Sequence, residues 1–594
     1  MKKTWKGIKE IVGFKGGSTS LPSKIILDNN RELTDCQSIA NSFNQFFTNI
    51  GNNVANSIPH SQISPLEFMP TRVAENFKFS PITVKEIEEE IDKLKVNKSS
   101  GPFSIPTSIL KLIKHLIAKP LQIIFNSSLS NGIVPNSFKI ASVIPIFKKG
   151  SRLNVNNYRP ISLLSTFNKM IEKLVFKRLI SFVNKNNILS KKQFGFRSNH
   201  STIQAVLSIT DKIQRAIEEG AYSCGIFLDL SKAFDSVNHN ILIEKLQHYG
   251  VRDLEIKWFL SYLENRKQYV SFGCSNSELL PISCGVPQGS VLGPLLFLLF
   301  INDFQNSSST FDFHLFADDS NLFYKSKNLN TLETIVNEQL VNISSWLRAN
   351  KLLLNVDKSN FVIFHPPQKK VPYTLQLFID NKALRQDLKI RYLGIIIDNH
   401  LSWKSHVAHI CNKIKRSISV ICKARHYVNS SILLNLYYAL VYPYLIYGII
   451  IWGQTYESTI KPLFILQKKL VRLMTFSDFN AHSNPIFSKL KILKLPDLVF
   501  LQTALFMYDF HSGNLPVSFS LYFTQVHQKH NYNTRLSSKS SYCLPRIRTN
   551  FGKFNIRFSG AKCWNVISES LKKLTNKNAF KEQLSDDLLK TYDT

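Results

Sequence analysis

The stretch His314-Leu315-Phe316-Ala317-Asp318-Asp319-Ser320-Asn321-Leu322-Phe323-Tyr324 sets two adjacent carboxylates between two apolar runs. Apolar runs on both sides of a short polar segment predict a β-hairpin, here with Asp318 and Asp319 at its turn. An Asp-Asp pair that only accepts backbone hydrogen bonds in a solvated turn gives the same pattern. The meaning of this hairpin therefore depends on what the rest of the chain places beside it.

A second acidic stretch lies upstream, in Cys224-Gly225-Ile226-Phe227-Leu228-Asp229-Leu230-Ser231-Lys232-Ala233-Phe234-Asp235. Its apolar run predicts a strand that ends at Asp229, followed by a turn that carries Phe234 and Asp235. Strand-end carboxylates that meet across a sheet repel one another unless a cation neutralises them. Mg²⁺ prefers such hard oxygen ligands, and two Mg²⁺ ions stabilise both the attacking and the leaving oxygen of a phosphoryl transfer. We therefore expect nucleotidyl transfer with two Mg²⁺ ions, for which Mn²⁺ is a substitute.

Between the two acidic stretches lies Cys284-Gly285-Val286-Pro287-Gln288-Gly289-Ser290-Val291-Leu292-Gly293-Pro294-Leu295-Leu296-Phe297. Its glycines permit positive φ or a close backbone approach, and its prolines restrict the chain. The apolar run from Leu295 to Ile301 predicts a buried helix. A simple loop that leads into a core helix fits the same residues, so this segment alone does not decide the function.

Taken in order, residues 227–235, 285–294 and 316–319 resemble the palm motifs of reverse transcriptases. The resemblance is closest to the jockey-like group of LINE-type (non-LTR) retrotransposon polymerases, and it extends over nearly the whole chain. It implies an α+β right-hand polymerase with fingers, palm, a mostly helical thumb and a small basic C-terminal domain. The implied divisions are a connector at 1–75, fingers at 76–223, a palm at 224–408 with interleaved helices, a thumb at 409–505 and a nucleic-acid-binding domain at 506–594.

The resemblance assigns roles to the palm residues. Asp229 and Asp318 bridge the two Mg²⁺ ions, the carbonyl of Leu230 completes one shell, and Asp319 supports the cluster. Phe234 matches the residue that excludes a 2′-OH, with core packing as its alternative. The remaining pair, Gln288 and Gly289, lies against the templating base and the primer-side backbone.

Basic residues upstream are predicted to hold the triphosphate. A strand at Ile140–Phe147 runs into Lys148 and Lys149, and the chain returns through Asn157-Tyr158-Arg159-Pro160-Ile161-Ser162, which matches the family's fingers motif. Arginine binds phosphate as a fork and lysine as a point charge. Arg159 is therefore assigned to the triphosphate, and Lys148 and Lys149 share this role unless they are ordinary solvated turn charges. Arg197, within Gln193–Thr202, is a template or phosphate contact, with helix-entry packing as its alternative.

Two downstream matches concern the leaving group and the primer. Lys358 matches the family lysine that is proposed to protonate pyrophosphate, a general-acid role; a salt bridge with Asp357 or a template contact is the alternative. Residues 391–398 match the primer grip, in which a tight turn at Tyr392, Leu393 and Gly394 holds the primer end.

The composition agrees with a nucleic-acid partner. The net charge is +33 and the isoelectric point is near 9.7, so we expect a polyanion to bind. Residues 401–594 alone contain 26 Lys and Arg against 9 Asp and Glu, a net charge of +17. The implied partners are an RNA template, a DNA primer on target DNA and deoxynucleotides, and the oligomeric state stays open.

Cysteines and apolar segments bear on the compartment. The eight cysteines include no Cys-x₂-Cys pair, which argues against a zinc site or a disulfide framework and favours a reducing compartment. The chain begins with a lysine-rich stretch at Met1–Lys6, which lacks the uninterrupted apolar core of a signal peptide. Leu433–Gly453 is 21 residues long and uncharged, yet Pro443 and scattered tyrosines favour buried paired helices over a membrane span. We expect a protein of the nucleus and cytoplasm with no membrane partner.

Periodicity and turn residues predict further elements. They are a turn at Asn97–Pro102, helices at Ile39–Ile50, Val84–Leu94, Thr202–Glu219, His239–Gly250, Leu254–Tyr269 and Thr331–Ala349, a strand at Tyr373–Ile379, and basic thumb helices at Ile410–His426, Ile432–Ile451 and Ile460–Phe476. Aromatic and basic residues interleave at His530–Arg535, Arg546–Asn550 and Gly560–Asn565, which suits stacking on single-stranded or structured RNA.

The resemblance implies RNA-templated extension of a DNA primer 3′-OH by deoxynucleotides, primed in place on target DNA. Full-length elements of the family carry an endonuclease ahead of the connector; we see none here and do not assign nicking. Two alternatives stay open. One is a catalytically silent nucleic-acid-binding remnant of an element, and the other is an RNA-templated RNA polymerase, which Phe234 and Gln288-Gly289 disfavour.

Overall fold

The computed structural model describes residues 22–26, 30–59, 61–96, 101–102, 105–529 and 541–592. Sequence predictions that lie wholly or partly outside these ranges include the lysine-rich start at Met1–Lys6, the turn at Asn97–Pro102, the basic-aromatic segment His530–Arg535 and parts of the connector 1–75 and of the C-terminal domain 506–594.

The strands are short and fall mostly in the middle of the chain. They are β1 (Ile25–Ile26), β2 (Glu32–Leu33), β3 (Ile140–Phe147), β4 (Tyr158–Leu163), β5 (Tyr222–Asp229), β6 (Arg266–Phe272), β7 (Ser275–Asn276), β8 (Leu280–Ile282), β9 (Asp312–Phe316), β10 (Asp319–Ser326), β11 (Asn360–Phe364), β12 (Phe378–Ile379), β13 (Lys382–Ala383), β14 (Arg385–Gln386), β15 (Lys389–Tyr392) and β16 (Ile395–Asp398).

Helices surround these strands and make up almost all of the regular structure after residue 400. They are α1 (Cys36–Ser57), α2 (Val84–Asp92), α3 (Thr107–Leu112), α4 (Lys114–Asn131), α5 (Thr166–Lys185), α6 (Thr202–Glu218), α7 (His239–His248), α8 (Asp253–Leu263), α9 (Gly293–Ile301), α10 (Leu329–Ala349), α11 (Lys404–Ala424), α12 (Ser430–Leu440), α13 (Tyr442–Ile446), α14 (Ile449–Trp452), α15 (Glu457–Met474), α16 (Ser483–Leu490), α17 (Leu495–His511), α18 (Val526–Lys529), α19 (Ile556–Val566), α20 (Glu569–Lys572) and α21 (Lys577–Lys590).

The central sheet has the order β14-β11-β5-β10-β9. Its pairs are antiparallel except β11 with β14. Strand β5 is buried along nearly its whole length, as its continuous apolar sequence requires, because side chains on both of its faces are covered. The predicted hairpin at residues 312–326 is confirmed, and it brings β10 alongside β5. The mixed α+β architecture is therefore built around the strand that ends at Asp229.

A second sheet contains the hairpin whose basic residues are predicted to bind a triphosphate. Strands β3 and β4 form this hairpin, and β6 pairs with β3 in parallel. The predicted helix Leu254–Tyr269 is wrong in its second half. Helix α8 ends at Leu263, Asn265 takes a φ of 53°, and Arg266–Phe272 is strand β6. Pairing with β3, which is distant in sequence, outweighs the local helical pattern here.

The predicted strand Tyr373–Ile379 is also largely wrong, because only Phe378–Ile379 pairs as a strand. Side chains instead bind the backbone of this segment. The Leu375 N–H donates to Gln386 Oε1 at 3.0 Å, and the Gln376 N–H donates to Glu333 Oε1 at 2.5 Å. Alternating hydrophobicity alone did not reveal these side-chain partners.

The predicted helix Ile432–Ile451 is broken into α12, α13 and α14, with Gly448 at a φ of 66° before the last of them. Apolar side chains of these helices, including Leu436, Leu445 and Trp452, are buried in a core shared with α11 and α15. Within the described ranges, no helix combines the length and the hydropathy that crossing a bilayer requires. The stretch that raised the question of a membrane span thus buries part of its apolar side chains in this core, while Tyr438 and Tyr444 stay exposed.

The described C-terminal residues share that same core. Ile556, Trp564 and Phe580 belong to it together with Leu463 and Leu470 of α15. Polar contacts add a second attachment, to helix α6 behind the central sheet. The Glu218 carboxylate accepts hydrogen bonds from the backbone N–H groups of Arg548 and Thr549.

A buried ion pair completes this attachment. The Arg557 guanidinium donates to both oxygens of Asp211, at 2.9 and 3.1 Å, and Asn555 Nδ2 donates to Asp211 Oδ1 at 3.1 Å. The Asp211 side chain is only 1% exposed, and Arg557 stacks 3.8 Å from the centre of the Tyr522 ring. The C-terminal helices are therefore fixed to the helix that supports the acidic hairpin.

We predict that Arg557→Ala lowers the stability of the fold by about 3 kcal/mol, because it leaves the Asp211 carboxylate buried without its cation. Urea unfolding followed by circular dichroism measures the change. Lys562→Ala, at an exposed position on the same helix, serves as the control. Asp211→Asn combined with Arg557→Met should recover most of the loss, since no charge then stays buried. A single variant no less stable than the control would contradict the assigned role of this pair.

Candidate active site

The register of two strands brings the two acidic motifs together. In the β5–β10 pair, Asp319 lies directly opposite Asp229. Asp319 is also the first residue of β10 and pairs with Phe316 across the hairpin, which leaves Ala317 and Asp318 at its tip. Ala317 takes a φ of 56° there, a strained conformation for a residue with a Cβ. Three carboxylates, those of Asp229, Asp318 and Asp319, thus lie at one end of the sheet.

A side chain that sequence reasoning missed supports the hairpin tip. Gln193 Oε1 accepts hydrogen bonds from the backbone N–H groups of Gly195, at 2.8 Å, and Ala317, at 2.9 Å. A Cβ on Gly195 would lie 2.4 Å from the Ala317 nitrogen, so the segment needs glycine there. Phe194 and Leu315 add a backbone bond of 2.8 Å. Gln193 belongs to the segment Gln193–Thr202, which resembles the family's fingers. Its partner Ala317 lies far away in the sequence, so the contact was not predicted.

The backbone after Asp229 is held by the segment 353–359. The Ser231 N–H donates to the Leu353 carbonyl and the Asn355 N–H donates to the Asp229 carbonyl, both at 2.8 Å. The Asp229 N–H donates to Ser359 Oγ at 3.1 Å. None of these bonds, which join described residues, uses the carbonyl of Leu230, the residue that directly follows Asp229.

The electrostatics of the carboxylates favour a bound cation. Partial loss of hydration raises the pKa of Asp318, and the charge of Asp229 raises it further. Loss of hydration followed by the charges of Asp318 and Asp229 raises the pKa of Asp319 to about 6. Among the described residues, no group of three or more His, Cys, Asp and Glu side chains is arranged so that it could hold a metal ion as it stands. The donor set nevertheless fits hard cations, because its mutually repelling carboxylate oxygens are what such an ion binds.

Basic side chains lie near these acids. Lys358 Nζ is 3.7 Å from Asp229 Oδ2, so Lys358 faces the acidic cluster. The charges of Arg159 and Lys148 act on Asp318 and oppose the rise in its pKa. Burial and the charge of Arg159 in turn lower the pKa of Lys148. Lys149 is exposed at the tip of the β3–β4 hairpin. The site therefore combines carboxylates with cations that suit a polyphosphate.

Phe234 packs beside this cluster. Its ring stacks on Phe297 with centroids 4.3 Å apart and an interplanar angle of 21°, and it meets the edge of Phe196 at 6.1 Å. Phe196 is 57% exposed. The Phe234 ring is thus packed on Phe297 on one side and lies next to the exposed ring of Phe196 on another. This arrangement is compatible with both its predicted steric role and core packing.

Gln288 and Gly289 pack closely on strand β4. The Ser162 N–H donates to the Gln288 carbonyl at 2.8 Å. Gly289 has a φ of 126°, and a Cβ there would lie 2.5 Å from the Ser162 carbonyl oxygen. Because a side chain would clash with β4, glycine is required at this position. The loop is in this way joined to the hairpin that carries Arg159.

Arg197 is occupied within its own loop. Its Nη1 donates to the carbonyls of Ser190, at 2.7 Å, and Gln193, at 3.3 Å. This geometry agrees with the packing alternative, and the template contact stays a prediction.

The turn predicted to hold the primer is present between β15 and β16. Leu393 and Gly394 take φ values of 42° and 87°, and Tyr392 is buried before them. Sequence reasoning did not identify its brace, Tyr447. The Tyr447 hydroxyl donates to the Leu393 carbonyl at 2.5 Å and lies 3.1 Å from Thr202 Oγ1.

We predict that Asp319→Asn raises the thermal unfolding midpoint at pH 7.5 in EDTA. The folded-state pKa of Asp319, about 6, lies above its ordinary value, so the ionised group disfavours the fold above that pH. Protonation relieves this cost as the pH falls from 6 towards 4, and the advantage of the variant should shrink accordingly.

Differential scanning fluorimetry at pH 7.5 and 4.5 measures this difference. Asp478→Asn, which removes an exposed carboxylate elsewhere, should behave like the wild type at both pH values. An Asp319→Asn midpoint at or below that of the wild type at pH 7.5 would contradict the like-charge cluster.

The described site lies within a region that matches a known family. Residues 146–397 match the family of reverse transcriptases (RNA-dependent DNA polymerases). The candidate site residues, from Lys148 to Gly394, all fall inside this range.

Similar proteins come from mobile elements of Drosophila melanogaster. The chain is 28% identical to the RNA-directed DNA polymerase from mobile element jockey, over 78% of this chain and 51% of the relative. It is 30% identical to the probable RNA-directed DNA polymerase from transposon BS, over 69% and 46%. It is 29% identical to the probable RNA-directed DNA polymerase from transposon X-element, over 70% and 46%. The chain thus spans about half the length of these curated relatives.

Proposed function

We propose that this chain, which belongs to the reverse transcriptases of jockey-like non-LTR retrotransposons, extends the 3′-OH of a DNA primer on an RNA template with deoxynucleotides. The observation that carries the proposal is the pairing of Asp229 with Asp319 across β5 and β10, with Asp318 at the adjoining tip. This register gathers the acids of two separate motifs at one end of the sheet, beside Lys148, Arg159 and Lys358.

Asp229, Asp318 and Asp319 are the proposed ligands of two Mg²⁺ ions, together with the carbonyl of Leu230. When bound, the two ions stabilise the attacking 3′-oxygen and the leaving pyrophosphate oxygen of an in-line transfer. Mn²⁺ is the proposed substitute, since it accepts the same oxygen ligands.

The basic residues of the β3–β4 hairpin are proposed to bind the triphosphate. Arg159 offers a planar fork to phosphate oxygens, and Lys148 and Lys149 add point charges. Lys358 is proposed to give its proton to pyrophosphate, a role that its approach to Asp229 supports.

Selection of the nucleotide is proposed to fall to Phe234. Its ring is held by Phe297, so a 2′-OH placed against it meets a side chain that has little room to move. Gln288 and Gly289 are proposed to belong to the nucleotide-binding site, where they lie against the templating base and the primer-side backbone, and the turn at Tyr392, Leu393 and Gly394 is proposed to lie against the primer. Arg197 is proposed to contact the template.

We infer that helices α11–α16 act as the thumb and the helices after 506 as a small basic nucleic-acid-binding domain. Exposed cations on α11 and α15 suit a duplex backbone without sequence preference; they include Lys415, Arg416, Lys423 and Lys469. In the proposed setting the primer is nicked target DNA in the nucleus, and the protein reaches it from the cytoplasm.

The proposal predicts Mg²⁺-dependent extension of a DNA primer annealed to a homopolymer RNA template. Asp318→Ala/Asp319→Ala should abolish extension while RNA binding, measured by fluorescence anisotropy, stays within about twofold. The matched control is Asp586→Ala/Asp587→Ala, which removes another adjacent aspartate pair from an exposed part of α21 and should extend normally. Ribonucleotides should replace deoxynucleotides poorly, because Phe234 excludes the 2′-OH.

Tight, salt-sensitive RNA binding by the wild type without any extension would contradict the polymerase proposal. It would favour the second reading, a nucleic-acid-binding remnant of an element. Equal use of ribonucleotides and deoxynucleotides would instead contradict only the role of Phe234.

A further inference from the structure

The turn after Asp229 and the loop that carries Gln288 are joined along their backbones. The Val286 N–H donates to the Phe234 carbonyl at 2.9 Å, and the Gly285 N–H donates to the Val237 carbonyl at 2.8 Å. Asp235 lies between these two bonds in the sequence of its turn. These backbone hydrogen bonds fix the distance between the turn and the loop. They therefore also position the side chains of the two segments that contact each other.

That contact is a hydrogen-bonded pair. Gln288 Nε2 lies 2.8 Å from both Asp235 Oδ1 and Asp235 Oδ2. Burial raises the pKa of Asp235 to about 6, so at neutral pH the carboxyl group is mostly ionised and can only accept. The NH₂ group of Gln288 is thus committed to Asp235. The amide oxygen of Gln288 accepts no hydrogen bond from the described residues and lies on the other arm of the planar carboxamide.

Neighbouring backbone leaves Asp235 little freedom to move. Its N–H donates to the Lys232 carbonyl at 2.8 Å. A Cβ on Gly285 would lie 2.7 Å from the Asp235 carbonyl oxygen, and a Cβ on Gly51 would lie 2.6 Å from the same atom. Helix α1, which contains Gly51, therefore closes over this turn. His239 Nε2 lies 2.8 Å from the Gly285 carbonyl oxygen and holds the loop from a further side.

We propose that Asp235 is a positioning residue which fixes the carboxamide of Gln288 so that its oxygen, and not its NH₂ group, faces the nucleotide. The inference rests on the proposed function and deepens it, because it names the residue that sets how Gln288 presents itself to the substrate. Asp235 touches neither the substrate nor the acids in this account; it acts only through Gln288.

The chemistry of the pair explains why an acid is needed at position 235. A carboxylate offers only acceptors, so it selects the amide orientation in which the NH₂ group points towards it. An asparagine offers both a donor and an acceptor, so it pairs equally well with either end of the Gln288 carboxamide. Asp235→Asn therefore keeps the size of the side chain but removes the preference for one orientation.

The test is steady-state single-nucleotide incorporation by the full chain on a primer–template, with correct and mismatched deoxynucleotides. Asp235→Asn should raise the KM for the correct nucleotide about twofold, because two equally populated orientations leave half of the molecules competent to bind it. It should leave kcat and primer–template affinity at their wild-type values. Glu244→Gln, at an exposed position on the neighbouring helix α7, is the charge-matched control and should resemble the wild type.

A double-mutant cycle separates positioning from simple support of the fold. In a Gln288→Met background the carboxamide is absent, so Asp235→Asn should add no further increase in KM. An additive effect in that background, or a single variant with an unchanged KM, would overturn the inference. A wild-type protein that extends no primer at all would instead overturn the proposed function, so the two failures can be told apart.

Gln288→Met also covers the case in which Asp235→Asn does not fold. If positioning is correct, this variant should show the increase in KM by itself, in a protein that circular dichroism shows to be folded. A wild-type KM for Gln288→Met would then overturn the inference, because Asp235 would have nothing to position.

Discussion

The alignment of β5 with β10 is the constraint on which the site depends. Side chains alternate between faces along a strand, so a shift of one residue would move Asp319 away from Asp229 and turn the acids to opposite faces. The hydrogen-bonded ladders of β10 with β5 and with β9 hold this alignment, and the burial of β5 keeps its continuous apolar run covered on both sides. The apolar core and the acidic site are therefore set by the same pairing.

Several contacts from distant parts of the chain keep the ends of these strands in place. Gln193 binds the Ala317 N–H at the hairpin tip, and Asn355 binds the carbonyl of Asp229. Helix α6 supports the sheet and is itself held by the C-terminal helices through Asp211 and Arg557. A site made of mutually repelling carboxylates needs such support, since repulsion favours any movement that separates them.

Much of this arrangement could be predicted from the sequence. The strand Ile140–Phe147, the hairpin with its acidic tip and the buried helix at Gly293–Ile301 follow from apolar periodicity and turn residues. Their meaning came from three ordered motifs that resemble a known family, because acidic pairs alone are common in turns. Residues 146–397 match the reverse transcriptase family, as these motifs predicted.

The errors and omissions share a physical cause. Strand β6 was predicted as part of a helix because its partner β3 is remote in sequence, and Tyr373–Ile379 was predicted as a strand although side chains bind its backbone. Gln193, Tyr447 and Asp235 were not given roles because each acts through a residue that only the fold brings near. Local patterns report local structure, whereas supporting contacts depend on tertiary pairing.

In the proposed function, the strand register builds one metal site from two motifs. Fe²⁺ can take the place of Mg²⁺, and with ascorbate and peroxide it generates radicals that cut the backbone next to the bound ion. We predict cuts near 229–231 and also near 317–320, both suppressed by excess Mg²⁺ and both lost in Asp229→Asn. Cleavage at one motif alone, or Mg²⁺-sensitive cleavage elsewhere in the chain, would contradict the account.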